Sequence, residues 1–193
     1  MSAQPFDEFA EVRVSWEEFL RFQQAYVGSE KVIWDDGRIV LAMTGGSERH
    51  DLVVMALATQ IDAALSDGRC AVFAHNRQIK TGRRSYYPDL LVRCGRAAHP
   101  LFEDDAWLIV EVLSPSNTPA QQTAMLYAYQ ELPSIEAILF VDTARRVITV
   151  HHKHPDDPQW TETQTHAGTV TVKDLVLDFE AMWTRVDRRS SFD

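Results

Sequence analysis

Two carboxylate residues are embedded in apolar stretches that have the composition of buried strands. Asp89 begins one of them, within residues 86–92 (YYPDLLV), and Glu111 lies inside the other, residues 107–113 (WLIVEVL). Val, Ile and Leu dominate both stretches, and Pro, Gly or Ser residues bound them. Two carboxylates on adjacent strands that face the same side form a hard oxygen site suited to Mg²⁺ or Mn²⁺. The pair therefore predicts a site for a divalent metal.

A purely structural role for each carboxylate is the competing interpretation. Asp89 follows Pro88 and would then cap a turn, whereas Glu111 would pair with a buried Arg or Lys. An unpaired buried carboxylate is costly, so in either case Glu111 needs a cation or hydrogen-bond donors beside it. Taken singly, each carboxylate fits the structural role better. The two together, combined with the family resemblance that the same segments carry, favour the metal site.

A basic segment precedes the first carboxylate. Residues 77–84 (RQIKTGRR) contain four cationic side chains, those of Arg77, Lys80, Arg83 and Arg84. The formal net charge of −9 counts against broad, nonspecific nucleic-acid binding, which depends on phosphate neutralisation by Lys and Arg. A local basic rim that contacts phosphates is still compatible with that charge. A solvated hairpin tip is the alternative, and the sequence does not separate the two.

His50 is the histidine most favourably placed for a role in the site. It ends residues 44–50 (TGGSERH), which predict a loop entering a helix. In the first helical turn it would reach a carboxylate-rich site and contact substrate, and a capping histidine is the alternative. The histidines of residues 151–154 (HHKH) lie in a predicted strand whose neighbouring side chains face opposite ways, so we expect no metal site there.

A serine hydrolase is not expected. Ser114 and Ser116 are better explained as helix caps, because the chain has no Gly-x-Ser-x-Gly elbow.

Composition favours one globular domain. The chain has 193 residues with 45% hydrophobic and 24% charged residues, and no apolar run approaches a membrane span. We expect an arm at 1–14, a single domain at 15–187 and a tail at 188–193. No signal peptide is evident in the first eight residues, and Cys70 and Cys94 are expected to be buried free thiols of a cytoplasmic protein.

Periodicity and cap residues predict an α/β sandwich with a mixed sheet and helices on its faces. Ser15 and Glu18 form a capping-box pattern at the start of the first helix, and the turn at 35–37 predicts a hairpin. The predicted helices are 15–28, 51–65 and 120–130. The predicted strands are 31–34, 38–43, 70–79, 88–94, 107–113, 136–141 and 147–151, followed by a final hairpin of 160–165 with 169–172 and an apolar segment at 175–183.

The sequence resembles the Uma-two family, restriction-endonuclease-like proteins of bacteria within the PD-(D/E)XK nuclease superfamily. The resemblance spans roughly residues 15–185. The segments that carry it are Asp36-Gly37, 43–50 (MTGGSERH), 87–89 (YPD), 102–105 (FEDD), 132–135 (LPSI) and above all 109–116 (IVEVLSPS). It implies an α/β (α+β) restriction-endonuclease-like core, a mixed β-sheet flanked by helices, with accessory N- and C-terminal β-hairpins.

The resemblance also implies a metal-dependent endonuclease that hydrolyses DNA. Asp89 and Glu111 would bind Mg²⁺ or Mn²⁺, with the carbonyl of Val112 as a further ligand. In-line attack on a phosphodiester builds negative charge, which the metal and a cation, normally a lysine, would offset.

The sequence departs from the family where that lysine should stand. The family usually carries an Asp and a Lys four residues apart on the helix after the Ser-Pro-Ser segment, hence on one helical face. The corresponding residues here are Gln121 and Met125, and the superfamily's other lysine position is Leu113. The site is therefore expected to be degenerate, with weak or lost activity.

Three explanations compete. Lys80 could supply the missing charge from the strand paired with Asp89. The protein could bind metal or nucleic acid without cutting. The fold could instead serve as a noncatalytic interaction module, homodimeric or bound to another partner. We expect the degenerate endonuclease, with no membrane association.

Overall fold

The computed structural model describes residues 13–42, 46–66, 68–97, 99–154 and 157–190. Several sequence-based expectations fall outside these ranges. They concern most of the N-terminal arm (1–12), the motif residues 43–45, Asp67 of a predicted turn, residues 155–156 of a predicted loop, and the end of the tail (191–193).

The described residues form helices and strands close to those predicted. The helices are α1 (Trp16–Ala25), α2 (Glu48–Ala64), α3 (Pro119–Gln130) and α4 (Phe179–Asp187). The strands are β1 (Lys31–Asp35), β2 (Arg38–Ala42), β3 (Cys70–Ala74), β4 (Gln78–Lys80), β5 (Ser85–Tyr86), β6 (Leu90–Cys94), β7 (Phe102–Glu103), β8 (Leu108–Leu113), β9 (Ala137–Asp142), β10 (Val147–His154), β11 (Asp157–Thr165), β12 (Thr169–Val172) and β13 (Leu175–Asp178).

A six-stranded mixed sheet forms the centre of the fold. Its order is β11-β10-β9-β8-β6-β3, in which β8 and β9 run parallel and the other neighbours antiparallel. Val110 and Val112 of β8 belong to the core cluster under α2, α4 and the β12–β13 hairpin. Ile109 faces the other way, into a cluster that includes Tyr129 of α3. The mixed sheet flanked by helices confirms the predicted fold class.

Local sequence sets the ends of the elements that border the sheet. Ser15 and Glu18 make the predicted capping box of α1. Asp36 and Gly37 have positive φ angles of 48° and 87° in the turn between β1 and β2, which glycine adopts at little cost. Ser47 caps α2 by accepting a hydrogen bond from the backbone N–H of His50.

Two predicted strand arrangements are wrong. The expected strand 70–79 divides into β3 and β4, because His75 between them has a positive φ of 58° that no strand accommodates. The expected hairpin of 160–165 with 169–172 does not form. Instead β11 extends the central sheet by pairing with β10, and β12 pairs with β13. Alternating side chains predict strands but not their partners.

The prediction of free thiols is also corrected. Cys70 and Cys94 are direct cross-strand partners of β3 and β6, and the structure joins them in a disulfide. Register brought them together, and spacing along the sequence carries no signal of it. None of the helices in the described ranges is long and apolar enough to cross a membrane.

The disulfide predicts a redox-dependent stability. It closes a loop with a sequence separation of 24 residues, for which loop-closure entropy gives a stabilisation of about 3 kcal/mol. Reduction with a dithiol should lower the free energy of unfolding by about this amount in urea titrations. A Cys70→Ala/Cys94→Ala variant should be equally destabilised and insensitive to the reductant. Equal stability with and without reductant in the wild-type protein would show that the bond does not form in solution.

Candidate active site

Strand register brings Asp89 and Glu111 together. Strands β6 and β8 pair antiparallel with Leu90 opposite Val110 and Leu91 opposite Ile109. Continuing this register by one position places Asp89 opposite Glu111. Residues two apart on a strand face the same side, so both carboxylates share the α3 face of the sheet.

Glu111 receives hydrogen bonds rather than a salt bridge. The hydroxyl of Tyr129, on α3, donates to Glu111 Oε1 at 2.5 Å, and the backbone of Asp89 also donates to the carboxyl group. Burial, together with the nearby charge of Asp89, raises the pKa of Glu111 to about 8. The expected donors beside Glu111 are therefore present, and its negative charge is only partly compensated.

Asp89 is held from three directions. Its Oδ2 accepts a hydrogen bond of 2.8 Å from the backbone N–H of Val112 and lies 3.2 Å from His50 Nε2. Its Oδ1 lies 3.5 Å from Nδ1 of His75. Val112 thus reaches the site through its N–H group, and the proposed role of its carbonyl as a metal ligand stays a prediction. Asp89 is fixed in orientation by groups from β8, α2 and the end of β3.

His50 lies in the first turn of α2, as predicted, and bridges two acidic residues. Its Nδ1 is 3.2 Å from Asp51 Oδ1, and its Nε2 faces Asp89. The hydrogen bond with Asp89 raises the pKa of His50 to about 9 against the opposing effect of burial, so the ring carries a positive charge near neutral pH. A Cβ atom at Gly46 would stand 2.8 Å from His50 Nδ1, so only glycine lets the loop pass this closely.

His75 is a site residue that sequence reasoning missed. It follows the last residue of β3, and its backbone N–H donates to the carbonyl of Asp89 at 2.9 Å. Its backbone is in the left-handed region, which is uncommon for residues other than Gly and occurs at many functional sites. The available signal was the polar run 75–78 (HNRQ), which breaks the apolar pattern of 70–74 (CAVFA) within the strand predicted at 70–79.

The carboxylates face a cavity of about 700 Å³. Its lining combines acidic, basic and aromatic side chains from β1, α2, α3 and the segments around β3 and β6. The lining includes Lys31, His50, His75, Arg84, Tyr86, Tyr87, Asp89, Glu111, Gln121 and Met125. A polar cavity with convergent charged groups and perturbed pKa values is typical of an active site.

Helix α3 presents Gln121 and Met125 to this cavity, at the positions where the family resemblance implies Asp and Lys. Gln121 is engaged in the capping box of α3, since its Oε1 accepts a hydrogen bond of 2.8 Å from the N–H of Thr118. Met125 adds an apolar group to the same wall. The α3 wall therefore carries no charge that faces Asp89 and Glu111.

The structure does not assemble the basic segment 77–84 into one rim. Arg77 binds the fully buried carboxylate of Glu103 at 2.6 Å, and Arg93 binds the same group at 3.0 Å. Arg77 also donates to the carbonyl of Pro100. A guanidinium group tied up in this way is not available to a phosphate, so a structural role for Arg77 replaces the expected one.

The other three cations of that segment have different surroundings. Lys80 lies over the rings of Trp16 and Trp34 and is not among the residues that line the cavity. Arg83 is exposed and pairs with Asp36 at 2.7 Å. Arg84 lines the cavity and lies 3.6 Å from Asp35. Of the four expected phosphate contacts, Arg84 alone borders the two carboxylates.

Comparison with known proteins gives this geometry a family. The family model described as "Uma2: Putative restriction endonuclease" matches residues 16–185. The chain belongs to the Uma2 family. The "Uncharacterized protein slr1290" of Synechocystis sp. is 29% identical over 152 residues, which cover 77% of this chain and 78% of that protein.

A solved structure shares the fold. The crystal structure of "a putative nuclease belonging to DUF820" from Anabaena variabilis superposes with a TM-score of 0.68 at 16% identity, covering 88% of this chain and 97% of that chain. Identity this low speaks for the fold alone. The restriction-endonuclease-like architecture expected from the sequence is thereby confirmed.

The residues present fit a hard divalent cation. Among the described residues, no group of three or more His, Cys, Asp and Glu side chains is spaced to hold a metal ion. The candidate donors are then the oxygens of Asp89 and Glu111, which are of the type that Mg²⁺ and Mn²⁺ prefer. Burial and the neighbouring charge of Asp89 raise the pKa of Glu111, so its charged form is unfavourable without a further positive charge nearby.

Arg77 should matter for stability rather than for phosphate binding. Arg77→Met leaves the buried Glu103 without one of its two partners and should lower the free energy of unfolding by about 3 kcal/mol. Arg83→Met makes the same charge change at an exposed pair with Asp36 and should have a much smaller effect, because solvent screens that pair. Urea titrations of both variants measure the difference. Equal effects would place Arg77 outside the structural ion pair.

Glu111 should make the metal-free protein less stable as pH rises. Its pKa is raised from 4.5 to about 8 on folding, so the folded state binds an extra proton between these values and the free energy of unfolding falls across that range. Glu111→Gln should reduce this slope in urea titrations with a chelator present. The range from about pH 5 to 6 is the most informative, because His50 is largely protonated there in both states.

Asp62→Asn is the matched control for this slope, since Asp62 is an exposed carboxylate on α2. It should leave the slope unchanged. A wild-type slope in the Glu111→Gln variant would contradict the raised pKa.

Proposed function

We propose that this Uma2 protein is an Mg²⁺- or Mn²⁺-dependent endonuclease that hydrolyses phosphodiester bonds in DNA. The observation that carries the proposal is the pairing of Asp89 and Glu111 on the floor of one polar cavity, with the pKa of Glu111 raised by burial and by its neighbour. A divalent cation held here would favour the charged form of both carboxylates and would attract the phosphate of a substrate. Membership of a restriction-endonuclease-like family supports the same reaction class.

Asp89 and Glu111 are the residues that would hold the metal. When bound, the metal would stabilise charge on the scissile phosphate and lower the pKa of a water molecule. The neighbouring groups of the chain fix these ligands. The N–H of Val112 and the ring of His50 orient Asp89, and the hydroxyl of Tyr129 orients Glu111. Such fixed partners around ligands keep their oxygens aimed in one direction.

The rest of the cavity is suited to an anionic substrate that carries bases. Lys31 and Arg84 add positive charge to its lining, and Tyr86 and Tyr87 add aromatic groups. Cations beside a phosphate and rings beside a base are the usual means of holding single nucleotides. We expect slow turnover, because α3 contributes Gln121 and Met125 where the family resemblance implies Asp and Lys. A cytoplasmic location remains part of the proposal.

The alternative is a module that binds nucleic acid without cutting it. One observation favours it: Gln121, which stands where the family resemblance implies a catalytic Asp, is engaged in the helix cap. This alternative predicts metal binding at Asp89 and Glu111 with no cleavage.

The test is cleavage of fluorescently labelled single-stranded and duplex DNA by the purified protein with Mn²⁺ or Mg²⁺. The wild-type protein should cleave at least one substrate, and a chelator should abolish cleavage. Asp89→Asn and Glu111→Gln should each lower the rate by at least about 10²-fold, because each removes charge that positions the metal.

Asp62→Asn is again the matched control, with the same charge change on an exposed helix face, and it should retain the wild-type rate. Calorimetric titration with Mn²⁺ completes the experiment. Heat of binding in the wild type that is lost in Glu111→Gln, together with no cleavage by either protein, would favour the binding module over the endonuclease.

A further inference from the structure

Helix α3 does not supply the lysine that the family resemblance implies for phosphodiester hydrolysis. The wall formed by Gln121 and Met125 is uncharged, yet the transition state gathers negative charge next to Asp89 and Glu111. Within the described lining of the cavity, two Lys or Arg side chains supply positive charge, those of Lys31 and Arg84. Arg84 lies 3.6 Å from the partly exposed Asp35 and over the face of Tyr86, whereas Lys31 is influenced by the charges of Asp89 and Glu111.

Lys31 is anchored at the rim of the cavity. It is the first residue of β1, and its Nζ donates a hydrogen bond of 2.5 Å to the backbone carbonyl of His75. The same Nζ lies 5.2 Å from the centre of the Tyr87 ring. An ammonium group has three donors, so this arrangement fixes its position and leaves donors for another acceptor.

Both carboxylates act on this ammonium group. Burial lowers the pKa of Lys31, and the charges of Asp89 and Glu111 oppose that effect. The interaction places Lys31 in the electrostatic field of the proposed metal ligands. Among the described residues, the ion pairs of Asp89 are with His50 and His75, and none joins Lys31 to Asp89 or Glu111. A cation near two carboxylates without being paired to them is free to bind an anion that enters the cavity.

The fold holds β1 firmly enough for this purpose. The N–H of Trp34 donates to Ser85 Oγ at 2.9 Å, and Gln78 donates to the carbonyl of Val32 at 3.2 Å. His75 follows directly after β3 with a left-handed backbone, and its carbonyl accepts the hydrogen bond from Lys31. The unusual backbone conformation of His75 is thus part of what holds Lys31 at the cavity.

We propose that Lys31 is the catalytic cation of this protein, contacting a non-bridging oxygen of the scissile phosphate from β1 in place of a lysine on α3. The inference rests on the proposed endonuclease function. In the reaction a water oxygen forms a bond to phosphorus while the bond from phosphorus to the leaving sugar oxygen breaks. One proton of the water ends on the leaving oxygen and the other goes to solvent. Lys31 keeps its proton throughout and stabilises charge.

The test measures kcat and KM of four single variants on the DNA substrate that the wild type cleaves. Lys31→Met should lower kcat by about 10²-fold, the usual effect of removing one electrostatic catalytic group. Lys31→Arg should retain a larger part of kcat, because it retains the charge. Lys173→Met is the matched control, since Lys173 is exposed and pairs with Glu136 on the surface, and it should have the wild-type kcat. Lys80→Met tests the competing lysine, and a loss in Lys80→Met with none in Lys31→Met would overturn the proposal.

A relocation variant separates charge from structure. Lys31→Met/Met125→Lys returns a lysine to the cavity from α3, and it should recover at least tenfold in kcat over Lys31→Met. A merely structural role of Lys31 would not be rescued in this way. A double variant no faster than Lys31→Met would contradict the role of charge.

Mn²⁺ affinity supplies a readout that is independent of cleavage. Removing a cation near Asp89 and Glu111 should leave Mn²⁺ binding to Lys31→Met as tight as in the wild type or tighter, measured by calorimetry. Weaker binding would make Lys31 a structural support of the ligands and overturn the proposal.

The two proposals fail in distinguishable ways. A wild type whose cleavage does not exceed that of Glu111→Gln would remove the endonuclease and the role of Lys31 together. If cleavage depends on Asp89 and Glu111 but the Lys31→Met variant cleaves as fast as the wild type, only the role of Lys31 is removed.

Discussion

The placement of two carboxylates opposite each other at one end of a sheet is the constraint on which the site depends. The antiparallel register of β6 and β8 sets Asp89 against Glu111, and neither can move away without shifting a strand whose other face is buried in the core. Burial, together with repulsion by Asp89, raises the pKa of Glu111. The N–H of Val112 donates to Asp89, and the hydroxyl of Tyr129 donates to Glu111. Donors of this kind lower the cost of burial without neutralising the charge.

Elements from outside the central sheet complete the surroundings of this pair. Helix α2 begins beside Asp89 and brings His50 there, with its N-terminus oriented so that the helix dipole also favours negative charge. Helix α3 covers Glu111 with Tyr129, and the hairpin of β1 and β2 contributes Lys31. Because each contribution comes from a different element, the geometry of the site depends on the packing of all of them against the sheet.

The parts of the site that sequence could predict are those encoded by neighbours along the chain. Strand composition identified the strands of Asp89 and Glu111, and a cap followed by apolar spacing placed His50 in the first turn of a helix. Contacts set by register or by a single backbone angle left no comparable trace. His75 is an example, because the polar run 75–78 (HNRQ) marks a break in the strand but does not indicate which residue has a positive φ or that it contacts Asp89. The pairing of Cys70 with Cys94 depends on which strands become neighbours.

The positions of the cationic side chains were predicted least well from the sequence. The segment 77–84 concentrates four cations just before Asp89, yet burial of Glu103 draws Arg77 inward and two tryptophan rings hold Lys80. A charge's function depends on what else is buried near it, and a linear pattern does not contain that information. Lys31 stands alone in an ordinary strand, and nothing around it in the sequence indicates a site.

The hairpin of β1 and β2 is therefore more than an accessory to the core. A lysine on α3 would be held by a helix packed on the sheet, close to the carboxylates by construction. A lysine on β1 depends instead on hydrogen bonds that join the hairpin to Ser85 and Gln78, and on the carbonyl of His75. The position of the Lys31 ammonium group therefore depends on these three contacts, which lie outside the central sheet. When a charged group is missing from one wall of a cavity, a cation from another element can stabilise the same transition state, provided that the fold holds it at the right distance.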